Sequence, residues 1–137
     1  MPNYQGVWSL STQYQNAGGW PSLPINALNQ LGSTGGTNTQ VDYINLATTG
    51  NATDFGDTIA AAGYRAAASS TTRALFAGGY DGSILNQIEF TTIASTGSFA
   101  DFGDILAAQY GLRGLSNSTR GVIGGGDGAG TASNVMQ

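Results

Sequence analysis

The chain has no cysteine and no histidine, and its four basic residues are all arginine. Each absence excludes something. Without cysteine there is no disulfide framework, no thiolate metal site and no redox signature of a compartment. Without histidine there is no ordinary Ser-His-Asp triad and no imidazole base. Without lysine there is no Schiff-base chemistry. A net charge of −4 with four scattered arginines cannot supply the basic stripe that phosphate neutralisation needs, so nucleic acid is not an expected partner. A metal site would have to be all-oxygen, hence Ca²⁺ or Mg²⁺, and no cofactor is expected. No apolar run reaches the roughly 18 residues of a membrane-spanning helix, so no membrane insertion is expected. The opening Met1-Pro2-Asn3-Tyr4-Gln5 lacks the basic and apolar regions of a cleaved signal.

What is present points to a folded chain. Glycine accounts for 22 of 137 residues, about twice its usual share of roughly 7%. Only 9% of residues are charged, yet 40% are hydrophobic, including five Phe, six Tyr and two Trp. Disorder ordinarily brings high net charge and few aromatics. This balance reads instead as a turn-rich β-protein with an uncharged polar surface.

The chain repeats itself. Val41-Asp42-Tyr43-Ile44-Asn45-Leu46-Ala47-Thr48-Thr49-Gly50 aligns with Ile88-Glu89-Phe90-Thr91-Thr92-Ile93-Ala94-Ser95-Thr96-Gly97, 47 positions on. The register holds downstream. Asp54-Phe55-Gly56-Asp57 falls on Asp101-Phe102-Gly103-Asp104, Arg73 on Arg120, and Gly78-Gly79 on Gly125-Gly126. Leu31-Gly32 marks a degenerate half-copy upstream of Val41. Asn134-Val135-Met136-Gln137 resembles Asn86-Gln87-Ile88-Glu89 with one residue of slippage, which gives the expectation of a third copy and an array continuing beyond Gln137.

Each copy carries strand signals. Ala74-Leu75-Phe76-Ala77 is a short apolar run closed by a glycine pair, and Tyr80-Asp81-Gly82-Ser83 is a turn. Ile88 to Ile93 alternates with β-branched and aromatic residues. After a turn at Ser95-Thr96-Gly97-Ser98, a short outer strand is expected within residues 99–105. A fourth is expected at Leu112-Arg113-Gly114-Leu115-Ser116, before the polar turn Asn117-Ser118-Thr119. Four short strands in such a unit match one propeller blade, whose usual period is roughly 40–50 residues. Thr58-Ile59-Ala60-Ala61-Ala62 offers a competing short helix, since Ala favours helices.

The apolar run ending in Gly78-Gly79, the alternating strand after it and the strand at Arg113 resemble a kelch-type β-propeller repeat. The Trp usual after the third strand of that pattern is replaced here by Phe55 or Phe102. The phrase from Ile44 to Asp57 resembles repeats of structural proteins of tailed bacteriophages, notably those infecting cyanobacteria. The opening Gly6-Val7-Trp8-Ser9-Leu10 through Gln15, with Trp20-Pro21 after it, is similar to the start of such virion proteins. The resemblance implies an all-β chain of tandem kelch-like blades and a place in the tail or fibre of a virion, reached by particle assembly and lysis rather than secretion.

Residues 1–30 do not follow the repeat and read as an attachment segment, with residues 31–137 forming about two blades. Trp8, Leu10, Tyr14 and Trp20 concentrate apolar surface that so short a stretch cannot bury by itself. Docking into other virion proteins is the expected use, since Trp and Tyr are favoured at interfaces. Folding back onto the first blade is the alternative.

Catalysis has little to draw on. Asp54/Asp57 and Asp101/Asp104 are the paired carboxylates, suited by spacing to a Ca²⁺ site or a glycosidase pair. Their recurrence in both copies favours a turn device, with Asp accepting from nearby backbone N–H groups. Gly124 to Gly130 lacks the Lys of a phosphate loop and aligns with the strand-end turn at Gly78-Gly79. Arg73 and Arg120 precede equivalent strands and are expected to be buried or bridging between blades.

Two blades do not close a ring of about four to eight. Either the array continues or chains assemble, for example three chains in a six-bladed ring. The expected function is a non-enzymatic virion component, its N-terminus docked on the particle and its blades serving as scaffold or host adhesin. Residues 80–86 and 127–134 differ most between copies, so receptor or glycan contact is expected there. The alternative is a free lectin-like, carbohydrate-binding propeller.

Overall fold

The computed structural model describes residues 26–30, 38–128 and 131–132, and among these the chain is all β with no helix. A first sheet holds β1 (Asn26–Gln30), β2 (Gln40–Asn45) and β3 (Thr53–Asp57). The second holds β4 (Ala66–Ser69), β5 (Arg73–Ala77), β6 (Gln87–Thr92) and β7 (Ala100–Asp104). Then come the pair β8 (Arg113–Ser116) and β9 (Gly121–Gly124), and the short pair β10 (Asp127–Gly128) and β11 (Thr131–Ala132). Every pairing is antiparallel between consecutive strands. Short polar connections permit this meander, because antiparallel neighbours need only a hairpin.

The sequence repeat is also a repeat of hydrogen bonding. Val41 faces Gly56 as Ile88 faces Gly103, and the register shifts after Val41 as it does after Ile88. Each shift is a bulge, which twists the outer strand. The Thr58 amide donates to the Thr39 carbonyl (2.8 Å), and the Ile105 amide to that of Asn86 (2.7 Å). Ser70 Oγ accepts from the Thr72 and Arg73 amides, and Asn117 Oδ1 accepts from those of Thr119 and Arg120. The glycine pairs end β5 and β9 alike, with φ of 62° and 114° at Gly78 and Gly79, and 70° and 93° at Gly125 and Gly126. A Cβ at Gly78 would strike the Gln109 carbonyl and Leu112, and one at Gly126 would strike Tyr110 O and Leu112. Both the left-handed backbone and the close approach require glycine there.

Two cores alternate with the sheets. Val41, Phe55, Phe76 and Phe99 fill the first junction, with Leu28 and Tyr43 beside them. Ala66, Ala77, Ile105, Leu112 and Ile123 fill the second, with Leu75 and Ile88. The central sheet is thus apolar on both faces. Strand side chains alternate, so Phe76 enters one core while Leu75 and Ala77 enter the other. That is why β5 reads as a continuous apolar run.

Two expectations are corrected. Asn26–Gln30 pairs with β2 and stands 47 residues before β5, so the boundary drawn after residue 30 falls too late. Asp101 and Asp104 lie in β7, the outer strand expected within residues 99–105, and Asp54 and Asp57 in the equivalent β3, so the turn reading of these four residues does not hold. The competing helix at Thr58 to Ala62, a run that Gly63 cuts short, does not form: the Thr58 amide donates to Thr39 and the Ile59 and Ala60 amides to Glu89.

Candidate functional site

The first junction is held by a buried ion pair. Glu89 stands at a polar position of the alternation in β6, yet its side chain is fully buried. Glu89 Oε1 lies 2.8 Å from Arg65 Nη2, with the two side chains 0% and 2% exposed. The same carboxylate accepts from the Ile59 amide (2.8 Å) and the Ala60 amide (3.1 Å) on the connection from β3 to β4. Arg65 Nε donates to the Gly78 carbonyl at 3.1 Å. Arg65 Nη1 is buried without a partner among the described residues. Three donors on one carboxylate satisfy the charge that burial would otherwise penalise heavily. The effect is to clamp the crossover between the first two sheets. Nearby, Gln30 Nε2 donates to the carbonyls of Asn38 and Ala62 and to Thr58 Oγ1. No motif announces Arg65. Nor does Glu89 stand out in the sequence, since its place in the alternation of β6 is one that ordinarily faces solvent.

Arg73 and Arg120 are both exposed, which corrects the expectation of buried arginines at those positions. The Arg73 guanidinium sits over the Phe90 ring, 5.1 Å from its centroid, and Phe90 meets Phe102 edge-on at 5.7 Å. What the two repeat positions share is the backbone amide that closes the Ser70 and Asn117 turns. Any residue but proline supplies that amide.

A groove of about 720 Å³ opens between the second sheet and the β8–β9 pair. Leu75, Ile88, Phe102, Ile105, Leu106 and Ile123 contribute its apolar lining, with Arg73 and Arg120 among its polar residues. The matching place in the first junction is smaller, a groove of about 380 Å³ whose lining includes Asn26, Leu28 and Phe76. Phe55 is 2% exposed there, packed with Phe76 and Phe99, whereas Phe102 is 56% exposed.

The paired carboxylates do not converge on a chemical centre. Asp57 Oδ1 accepts from Thr39 Oγ1 (2.8 Å) and Asp101 Oδ1 from the Gly103 amide (3.0 Å). Among the described residues no three acidic groups gather as metal ligands. Trp8, Leu10, Tyr14 and Trp20 lie outside the described residues. No protein-family model matches the chain, and no curated protein matches it in sequence.

Proposed function

We propose that this chain is a non-enzymatic structural component of the virion of a tailed phage, its sheets acting as kelch-like blades of a propeller scaffold. The observation that carries the reading is the contrast between Phe55 and Phe102. One backbone frame recurs every 47 residues, yet the flank that buries Phe55 leaves Phe102 open. A flank of that shape fits a further copy of the same unit, supplied by the same chain or by a neighbouring one. A trimer of such chains is one arrangement that covers it. The virion assignment rests on the likeness of Ile44 to Asp57, and of the opening segment, to phage structural proteins. Docking is assigned to Trp8, Leu10, Tyr14 and Trp20.

Peptide mass mapping of purified particles of the phage that encodes the chain tests this directly. Peptides of the chain are expected in the particles, and deleting residues 1–24 is expected to leave the β-sheet circular-dichroism signal in place while abolishing incorporation. Particles that lack the chain, or that take up the truncated form normally, would sink the reading.

A further inference from the structure

We propose that Tyr64, Tyr80 and Tyr110 form a platform that binds a neutral saccharide. The three rings come from three connections at one edge of the sheets. Tyr64 precedes β4, Tyr80 follows β5 and Tyr110 precedes β8. Tyr110 is half-buried and lies in contact with both of the others, meeting Tyr64 at 6.2 Å and Tyr80 at 5.9 Å between centroids. Tyr64 is 71% exposed and Tyr80 42%.

The repeat shows that these rings are not blade parts. One unit away from Tyr64 stands Gly111, from Tyr80 Asp127, and from Tyr110 Gly63. The backbone bridges at these places persist regardless, Gly63 to Tyr80 in one copy and Tyr110 to Asp127 in the next. The frame therefore needs no aromatic at any of the three positions. Tyr64 is moreover the one non-glycine residue with positive φ among those described, at 58°, where Gly111 has 69°. A bulky side chain in that conformation is strained. Its ring gains little burial in return, so folding does not account for the residue, and strain of this kind gathers at functional sites.

The chemistry selects the ligand. Aromatic faces carry partial negative charge and attract the C–H face of a pyranose, while phenol and carboxylate oxygens pair with its hydroxyls. Asp81, which is exposed, follows Tyr80, and the Asp127 backbone bridges that of Tyr110, so the negative charge beside the rings disfavours an anionic ligand. Arg65 is bound to Glu89 and Gly78, and Arg113 Nη1 donates to the carbonyls of Gly111 and Leu112. Three partly exposed rings also fall short of the roughly 800 Å² per partner typical of a protein interface.

The test uses the full chain on an array of neutral gluco-, galacto- and manno-oligosaccharides, with sialylated and sulfated glycans alongside. Retention on neutral spots is expected. Tyr64→Gly, which installs the residue of the next copy, is expected to weaken it about tenfold or more with an unchanged or raised Tm. Tyr64→Phe keeps the ring and is expected to stay within about threefold of the parent. Absence of neutral binding, binding to anionic glycans alone, or a Tyr64→Gly variant that binds like the parent would each overturn the proposal. The site stands independently of the virion reading. A chain that binds sugar but is missing from particles defeats that reading and leaves this one intact.

Discussion

The two sheet junctions place different chemistry on one backbone. In the first, Gln30, Thr58 and Arg65 sit beside buried Glu89 in a hydrogen-bonded network. One unit later the corresponding positions are Ala77, Ile105 and Leu112, which form an apolar cluster. The bonds that recur between copies are mostly main-chain ones, such as Thr58 to Thr39 and Ile105 to Asn86. The frame is therefore set by backbone pairing and glycine turns, while the junction interior is free to be ionic or apolar. An ionic junction is the more fragile solution, because losing either partner strands the other.

The largest effect is expected at Glu89. Glu89→Ala leaves Arg65 and two amides without their acceptor and should destabilise the chain by about 3–5 kcal/mol, measured by urea unfolding. The double change Arg65→Leu with Glu89→Gln, which copies Leu112 of the second junction, should recover more than half of that loss. If the double variant is no better than the single one, the two junctions are not interchangeable solutions.

The aromatic pair gives the next contrast. Phe55→Ala empties a packed site and should cost about 3 kcal/mol, whereas Phe102→Ala, at an open flank, should cost less than about 1 kcal/mol. Sedimentation should respond the other way, with self-association weakened by the Phe102 change if that flank receives another copy. Equal losses of stability at the two positions would mean that the second flank is already covered.

The smallest effect is at Arg73. Arg73→Ala removes an exposed contact with Phe90 and should lower stability by roughly 0.5–1 kcal/mol, in the range of surface cation–π pairs. A loss several times larger in thermal unfolding would restore a bridging role for this side chain.

Much of the frame was legible in the residues. Alternation from Ile88 to Ile93, the run closed by Gly78-Gly79 and the turn at Asn117 marked β6, β5 and the β8–β9 hairpin. The 47-residue offset told which backbone features recur. The same offset misled about Arg73 and Arg120, because a position can repeat for its amide rather than its side chain. It hid β1 as well, since Asn26–Gln30 keeps the strand of Arg73–Ala77 while sharing few of its residues. Arg65 and Tyr64 were illegible for the opposite reason. Neither recurs in the next copy, and each acquires its meaning from neighbours far along the chain.

The sequence by itself determined the unit, its turns and the alternation of its strands, because these depend on local φ/ψ preference and on a period of two. Tertiary structure alone decided which junction is ionic, which phenylalanine is covered and which tyrosines meet. Those outcomes depend on burial, and burial is settled only when one sheet is laid against the next.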